Sequence, residues 1–139
     1  TLFILIADHG QLDTPTQRAI YLRQHPQLHD RLVMDFSGEP RAPYLYCRNG
    51  ELDAARDYIA TNLSHAFVSL DSSTVLNAGL FGSGNLAAET KYRIGDLILL
   101  PRADYYLWEK SEEPKLLGRH GGLAENEMLV PLLIARLDG

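Results

Sequence analysis

The sequence predicts an α/β fold in which a smaller α+β unit is inserted into a buried core. The chain opens with an unbroken apolar run, residues 2–7, which is typical of a strand buried on both faces, as in the centre of a parallel sheet. A second apolar run, residues 129–137, lies near its end despite Pro131. The stretch between them alternates short strands with helices in an order that suits a four-stranded sheet with helices on one side. We therefore predict a core made of residues 1–13 and 110–139, with the inserted unit at 14–109.

The first half of the inserted unit carries three clear signals. Asp13-Thr14-Pro15 is a helix-start pattern and predicts a helix over residues 16–23. Residues 31–37 and 44–48 alternate apolar with polar side chains around a Gly-Glu-Pro turn, which predicts two paired strands. Residues 51–63 have an apolar stripe at helical spacing and acids in the first turn, so they predict an amphipathic helix.

The second half continues with shorter elements that are punctuated by glycine and proline. In order, the sequence predicts a strand at 66–70, a helix that begins at Asp71-Ser72 and ends near 78, a glycine-marked loop at 79–84, strands at 97–100 and 105–109, a long glycine-rich connection at 110–122, an acidic turn at 125–127 and the last strand at 129–137.

Composition and charge exclude several classes of protein. The 139 residues are 45% hydrophobic and 22% charged, as in globular domains. Lys and Arg total 13 against 18 Asp and Glu, a net charge of −5, so we expect no broad basic surface for a large nucleic acid. The apolar runs are far shorter than the roughly 18 residues of a membrane helix. Cys47 is the only cysteine, which excludes an intramolecular disulfide and a cysteine-built zinc site.

Two histidine motifs are the strongest candidates for chemistry. Asp8-His9-Gly10 follows the first strand directly, at the end where α/β sheets bind ligands, and carboxylate and imidazole are ligands for divalent metals. A plain turn with a hydrogen-bonded aspartate is the alternative. His120 stands between glycines in the long connection back to the core, where it either approaches a ligand or is an exposed loop histidine. We expect Asp8, His9 and His120 to converge.

The paired motifs closely resemble the C-terminal part of the alkaline phosphatase superfamily, in its type I phosphodiesterase/nucleotide pyrophosphatase branch. The resemblance rests on the apolar strand before Asp8-His9-Gly10 and on Gly118-Arg119-His120-Gly121-Gly122-Leu123 more than a hundred residues later. An acidic turn and Val130-Pro131-Leu132-Leu133 then follow. Further segments fit at His25-Pro26, Gly38-Glu39-Pro40-Arg41, Gly79-Leu80-Phe81-Gly82 and Arg93-Ile94-Gly95-Asp96-Leu97.

The resemblance implies a two-metal phosphoryl hydrolase with an alkaline-phosphatase-like α/β core. Asp8 and His9 would bind one divalent metal and His120 the other; zinc is the usual ion and manganese the alternative. The Thr or Ser nucleophile and the other three ligands lie upstream in such proteins and are not in this sequence. The chain is then expected to be a C-terminal fragment that is inactive alone, taken from an enzyme that cleaves small phosphodiesters or nucleotide pyrophosphates.

Alternatives remain at this stage. Within the same superfamily the activity could be that of a phosphomonoesterase, a phosphonate hydrolase or a phosphomutase, and outside it the chain could be a non-catalytic interaction module. The exposed edges of the first strand are expected to favour self-association. His25 and His29 have the spacing of helical metal ligands, but Pro26 between them is unfavourable for a regular helix. We therefore expect these two histidines to be exposed and not to bind metal. Aromatic side chains at 105, 106 and 108 could stack on a nucleobase, although strand packing explains them as well.

Overall fold

The structure of the chain, a computed structural model, describes residues 1–82 and 84–137. The strands in this part of the chain are β1 (Leu2–Ile6), β2 (Leu12–Asp13), β3 (Ala19–Tyr21), β4 (Ser37–Glu39), β5 (Ala42–Leu45), β6 (Phe67–Asp71), β7 (Leu97–Pro101), β8 (Tyr106–Trp108), β9 (Gly118–Arg119) and β10 (Leu132–Arg136). The α-helices are α1 (Pro26–His29), α2 (Leu52–Tyr58), α3 (Ser72–Asn77), α4 (Thr90–Arg93) and α5 (Glu125–Met128). None of the described helices is long and apolar enough to span a membrane.

A four-stranded antiparallel sheet forms the centre of the middle of the chain, in the order β4-β5-β7-β6. Side chains alternate between the two faces of a strand, and β7 shows this directly. Leu97 and Leu99 pack in the larger core cluster, whereas Ile98 packs with Val75 and Ile94 in a second cluster. Helices therefore cover both faces of the sheet, and the prediction of helices on one side is wrong.

The predicted amphipathic helix at 51–63 is confirmed as α2 and the π-helical turn Ile59–Leu63 that continues it. Ala55, Ile59 and Leu63 recur every four residues, and all three are buried against the sheet. Asp53 lies in the first turn, where a carboxylate favours the helix dipole. The apolar period therefore set both the helix and the face that it buries.

The terminal apolar runs form strands, but not of the expected kind. β1 pairs antiparallel with β10, from Leu2 opposite Arg136 to Ile6 opposite Leu132. All five residues of each strand are exposed, with Leu2 at 62% and Ile4 at 56%. Among the described residues, β10 is the only strand paired with β1. In this part of the chain β1 is therefore neither buried on both faces nor part of a parallel sheet, in contrast to the prediction.

The helix predicted over residues 16–23 is wrong. Thr16–Arg18 and Leu22–Gln24 are single 3-10 turns, and β3 between them pairs in parallel with β8. The hydroxyl of Thr14 donates to the carbonyl oxygen of Leu117, 2.6 Å away, and no side chain caps the 3-10 turn that follows. A long-range strand pairing has overridden the local helix-start pattern.

The hairpin predicted at 31–37 and 44–48 forms closer to its turn, as β4 and β5. Beyond it, the ladder continues only at the single bridge between Leu32 and Cys47. Asp35 is drawn away from the ladder, since its carboxylate contacts His29 Nε2 at 2.9 Å and Arg23 Nη2 at 3.2 Å. The other predicted strands and the helix at 71–78 are present within about three residues of their expected ends.

Candidate functional site

The structure brings the two histidine motifs together. His9 follows β1, and His120 follows β9, more than a hundred positions later. Their imidazole rings are stacked, with centroids 3.6 Å apart and planes at 17°. This long-range contact is the one that the sequence pattern predicted for the pair.

Asp8 lies on the same side of the loop as the His9 ring. Its Oδ1 accepts the backbone N–H of His9 at 3.1 Å, and its Oδ2 is 3.7 Å from His9 Nε2. His9 Nδ1 is 2.7 Å from the carbonyl oxygen of Gly10. When Nδ1 carries the ring proton and donates it to that oxygen, Nε2 keeps its lone pair beside the Asp8 carboxylate. The side chains are 39% exposed for His9 and 89% for Asp8, so both are open to solvent and ligand.

The three predicted ligands do not enclose an ion by themselves. Within residues 1–82 and 84–137, no group of three or more histidine, cysteine, aspartate or glutamate side chains is arranged to hold a metal ion. An imidazole lone pair lies in the plane of its ring, so two nearly parallel stacked rings cannot both direct a lone pair at one ion. Each ring can therefore direct a lone pair only at an ion position of its own.

A buried ion pair lies directly behind the two histidine loops. Arg41 Nε and Nη2 donate to the two carboxylate oxygens of Glu127, at 2.5 Å and 2.6 Å, and both side chains are at most 1% exposed. The backbone N–H of Gly122 donates to Glu127 Oε1 at 2.9 Å. Burial alone would raise the pKa of Glu127, but the hydrogen bonds from Arg41 and Gly122 outweigh it and hold the pKa below its ordinary value.

Sequence reasoning missed Arg41 and Glu127. In the sequence, Glu127 is one residue of an acidic turn, and Arg41 is the last residue of a Gly-Glu-Pro-Arg segment. Neither has a local pattern that marks it as buried, since charged side chains are usually exposed. The only signal in the sequence was the position of the acidic turn, directly after the glycines that follow His120.

Arg119 anchors the strand before His120. Its Nη1 donates to Thr14 Oγ1 at 2.7 Å and to the Leu116 carbonyl oxygen at 2.8 Å. Its guanidinium lies 3.9 Å above the ring centroid of Tyr106 and 5.3 Å from that of Trp108, within cation–π range. These aromatic rings therefore support the His120 strand, and the fully buried Tyr106 is not available to stack on a nucleobase.

Comparison with known proteins identifies the family of the chain. The sequence profile of the type I phosphodiesterase/nucleotide pyrophosphatase family matches residues 1–123. The chain belongs to this family.

Solved structures support the same fold for the family member described here. Human ectonucleotide pyrophosphatase/phosphodiesterase 5 superposes with a TM-score of 0.73 at 16% identity, over 96% of this chain and 33% of that one. The murine protein superposes with a TM-score of 0.70 at 15% identity, over 96% of this chain and 33% of that one, and its complex with AMP gives the same values. Phosphonoacetate hydrolase from Sinorhizobium meliloti 1021, in complex with phosphonoformate, gives 0.65 at 18% identity, over 96% and 35%.

The chain therefore spans about a third of the length of these structures, and at such identities the likeness establishes the fold. The fold is the α/β type of the alkaline phosphatase superfamily, as predicted. No curated protein sequence matches the chain.

A cavity of ≈ 680 Å³ opens beside His120 in this family member. Its lining combines the apolar Trp108 and Leu116 with charged side chains of both signs, among them Lys110, Lys115, Glu112 and Glu113. It is large enough for a small organic phosphate next to the stacked rings.

The remaining histidine and cysteine candidates have structural partners away from the stacked rings. His25 Nδ1 is 2.9 Å from the Tyr58 hydroxyl, and burial lowers the pKa of His25, helped by the nearby His65. His29 contacts Asp35. Burial raises the pKa of Cys47 to about 11, so its thiol is neutral and packed, as the sequence suggested.

Proposed function

We propose that this chain supplies part of the metal centre of a phosphodiesterase/nucleotide pyrophosphatase: Asp8 and His9 for one divalent ion and His120 for a second. The ring contact between His9 and His120 carries this proposal, because it joins the two motifs that the family resemblance assigns to the two ions. In this proposal residues 1–13 and 110–139 carry the ligand loops, and 14–109 form the inserted unit.

The donor set fits one ligand group for each ion. Donor atoms about 2.0–2.1 Å from a tetrahedral zinc lie roughly 3.4 Å apart. The 3.7 Å between Asp8 Oδ2 and His9 Nε2 is close to that spacing. The contact between His9 Nδ1 and the Gly10 carbonyl supplies the outer hydrogen bond that metal-binding histidines usually make. Stacked rings that serve separate positions suit a pair of ions about 3.5–4 Å apart better than a single ion.

Three donors are too few for two ions. A catalytic zinc usually takes three protein ligands, so this proposal requires further ligands and a Thr or Ser nucleophile from outside residues 1–139. The match to only 33% of the length of the related structures is compatible with a longer protein. The fragment character, the missing nucleophile and the inactivity of the chain alone belong to this proposal.

The residues of this chain would bind and orient the metal ions, and the ions would supply positive charge. Two bound divalent ions neutralise phosphoryl charge and favour an attacking oxygen. That charge matters here because the chain itself has a net charge of −5. Asp8 and His9 would fix one ion at the end of β1, and His120 would fix the other beside the cavity. The substrate we propose is a small phosphodiester or nucleotide, which the ≈ 680 Å³ cavity can accommodate.

The test is activity and metal content of the full-length protein with His9→Ala or His120→Ala. We expect each variant to lose at least about 100-fold in phosphodiesterase activity and part of its bound metal, since even outer-sphere changes cost 10–100-fold. His65→Ala is the matched control, because His65 is exposed and its ring contacts Tyr105, not the stacked histidine rings. Full activity and full metal content in both site variants would overturn the assignment.

Phosphonate hydrolysis is the second candidate. It is favoured by the likeness to phosphonoacetate hydrolase, whose fold this chain shares at a TM-score of 0.65. Parallel assays of the full-length protein with a phosphodiester, a nucleotide pyrophosphate, a phosphomonoester and phosphonoacetate separate the two candidates. Turnover of none of them would favour a non-catalytic interaction module.

A further inference from the structure

We propose that Arg41 and Glu127 are positioning residues, whose buried ion pair holds the His9 and His120 loops in ring contact. The inference rests on the proposed function only for the role of the histidines as ligands. The contact between their rings is a property of the chain that can be measured without any metal.

Glu127 is bonded to both histidine loops at once. Its backbone carbonyl oxygen accepts the N–H of Gly10, the residue directly after His9, at 2.8 Å. Its side-chain Oε1 accepts the N–H of Gly122, two residues after His120, at 2.9 Å. One residue of α5 thereby fixes the backbone of the first loop and the backbone of the second.

Arg41 fixes the direction of the Glu127 side chain. Its guanidinium makes two parallel hydrogen bonds to the carboxylate, a geometry that specifies orientation as well as attraction. A third donor, Nη1, binds the carbonyl oxygen of Tyr105 at 2.8 Å. Arg41 lies in the turn between β4 and β5, so the four-stranded sheet determines where the carboxylate must lie. The predicted inserted unit therefore takes part in the geometry of the site.

The space around the pair leaves little freedom. A Cβ added at Gly122 would lie 2.7 Å from Glu127 Oε2 and 3.1 Å from Arg41 Nη2, and one added at Gly10 would collide with the carbonyl oxygen of Asn126. Real Cβ atoms essentially never come within 3.0 Å of another atom. Both loops are thus packed directly on α5 and on the ion pair, without an intervening layer.

The main experiment compares wild type with the double variant Arg41→Met/Glu127→Leu. Replacing both members of a buried ion pair with apolar residues of similar size is often neutral for stability, whereas removing one member is strongly destabilising. NMR on the metal-free chain then reports the ring contact, through nuclear Overhauser effects between His9 and His120 and through ring-current shifts. Amide exchange reports the Gly122 N–H.

We expect the double variant to keep the dispersed methyl signals of Leu45, Leu97 and Leu99 and to lose the ring contact. The Gly122 amide should exchange about fivefold faster, because a net hydrogen bond of roughly 1 kcal/mol has been lost. Glu127→Gln keeps an acceptor oxygen for Gly122, so it should retain more of the ring contact than the double variant does. Arg56→Met/Asp71→Leu is the control, since it removes an Arg–Asp pair of 2.8 Å whose hydrogen bonds reach neither histidine loop, and it should leave both readouts unchanged.

A ring contact that persists in a folded double variant would overturn the inference. If that variant does not fold, native-state exchange in the wild type decides: Gly10 and Gly122 should be released by the same opening, with equal protection and equal dependence on denaturant. Unequal values would contradict a shared anchor. The NMR and exchange readouts do not depend on enzyme activity. The positioning role can therefore fail while the activity and metal content of His9→Ala and His120→Ala still support the metal centre. Conversely, the metal centre can fail while the positioning role holds.

Discussion

The single substitution Arg41→Met should be among the most destabilising changes in the chain. It removes three hydrogen bonds and leaves the buried carboxylate of Glu127 with backbone N–H donors, those of Gly122 and Ala124. Breaking a buried ion pair by removing one member typically costs about 3–5 kcal/mol. A domain of this size has roughly 5–15 kcal/mol in total, so the loss takes a large share of its stability.

The pH dependence gives this prediction a second, sharper form. In the wild type the folded pKa of Glu127 is below its unfolded value, so the pair stabilises the fold fully above about pH 4.3 and less as the pH falls through the folded pKa. In Arg41→Met, burial raises the pKa with far less opposition, and protonation relieves the penalty. The stability difference between the two proteins should therefore be largest near neutral pH and shrink toward pH 4.

The assay is urea unfolding followed by fluorescence of Trp108 at several pH values. We expect a lower midpoint with an unchanged slope for Arg41→Met, and a midpoint near that of wild type for Arg41→Met/Glu127→Leu. A loss below about 1 kcal/mol at neutral pH would refute the reasoning, since it lies within the range of exposed ion pairs. A difference that grows as the pH falls would refute the assigned charge states.

Three further predictions follow from single contacts. Gly10→Ala should destabilise the chain by about 1–3 kcal/mol, because the new Cβ meets the Asn126 carbonyl oxygen. Gly84→Ala is the control and should cost little stability, since nothing lies within 4 Å of a Cβ there. Urea unfolding midpoints measure both variants, and equal midpoints would count against the close approach at Gly10. Cys47, with a pKa of about 11, should react with iodoacetamide about two orders of magnitude more slowly in the folded protein than in denaturant. Mass spectrometry follows the reaction. Equal rates in the two conditions would show that the fold does not protect the thiol. Ile4→Lys should reduce any self-association through the exposed strand β1, as measured by light scattering over a concentration series, and a wild type that stays monomeric at high concentration would contradict the expectation.

Much of the fold could be predicted from the period of the apolar residues. The stripe at 55, 59 and 63 gave the helix and its buried face, and the alternation around the Gly-Glu-Pro turn gave the hairpin. The segment 16–23 failed because its structure is decided by a partner far along the chain, β8. A local pattern cannot report a long-range pairing, and the same limit explains why β1 was assigned to a parallel sheet.

The contact between the two histidine motifs could be predicted from the sequence, but the residues that support it could not. Asp8, His9 and His120 stand out because the two motifs together resemble those of a known family, although each motif alone also fits an ordinary turn or loop. Arg41 and Glu127 do not stand out, since their burial depends on each other and on loops that are distant in sequence. A buried charge becomes visible only when its partner is known.

The glycines of the two motifs allow close packing of the loops. The close neighbours of Gly10 and Gly122 are Asn126 and Glu127. Each glycine is needed because the loop packs directly on α5, and this packing also aligns its N–H with a Glu127 oxygen. The spacing of each motif, histidine then glycine, thus couples a side chain that faces solvent to a backbone that faces a buried anchor. An alanine at either glycine should therefore disturb the histidines even though it touches neither ring.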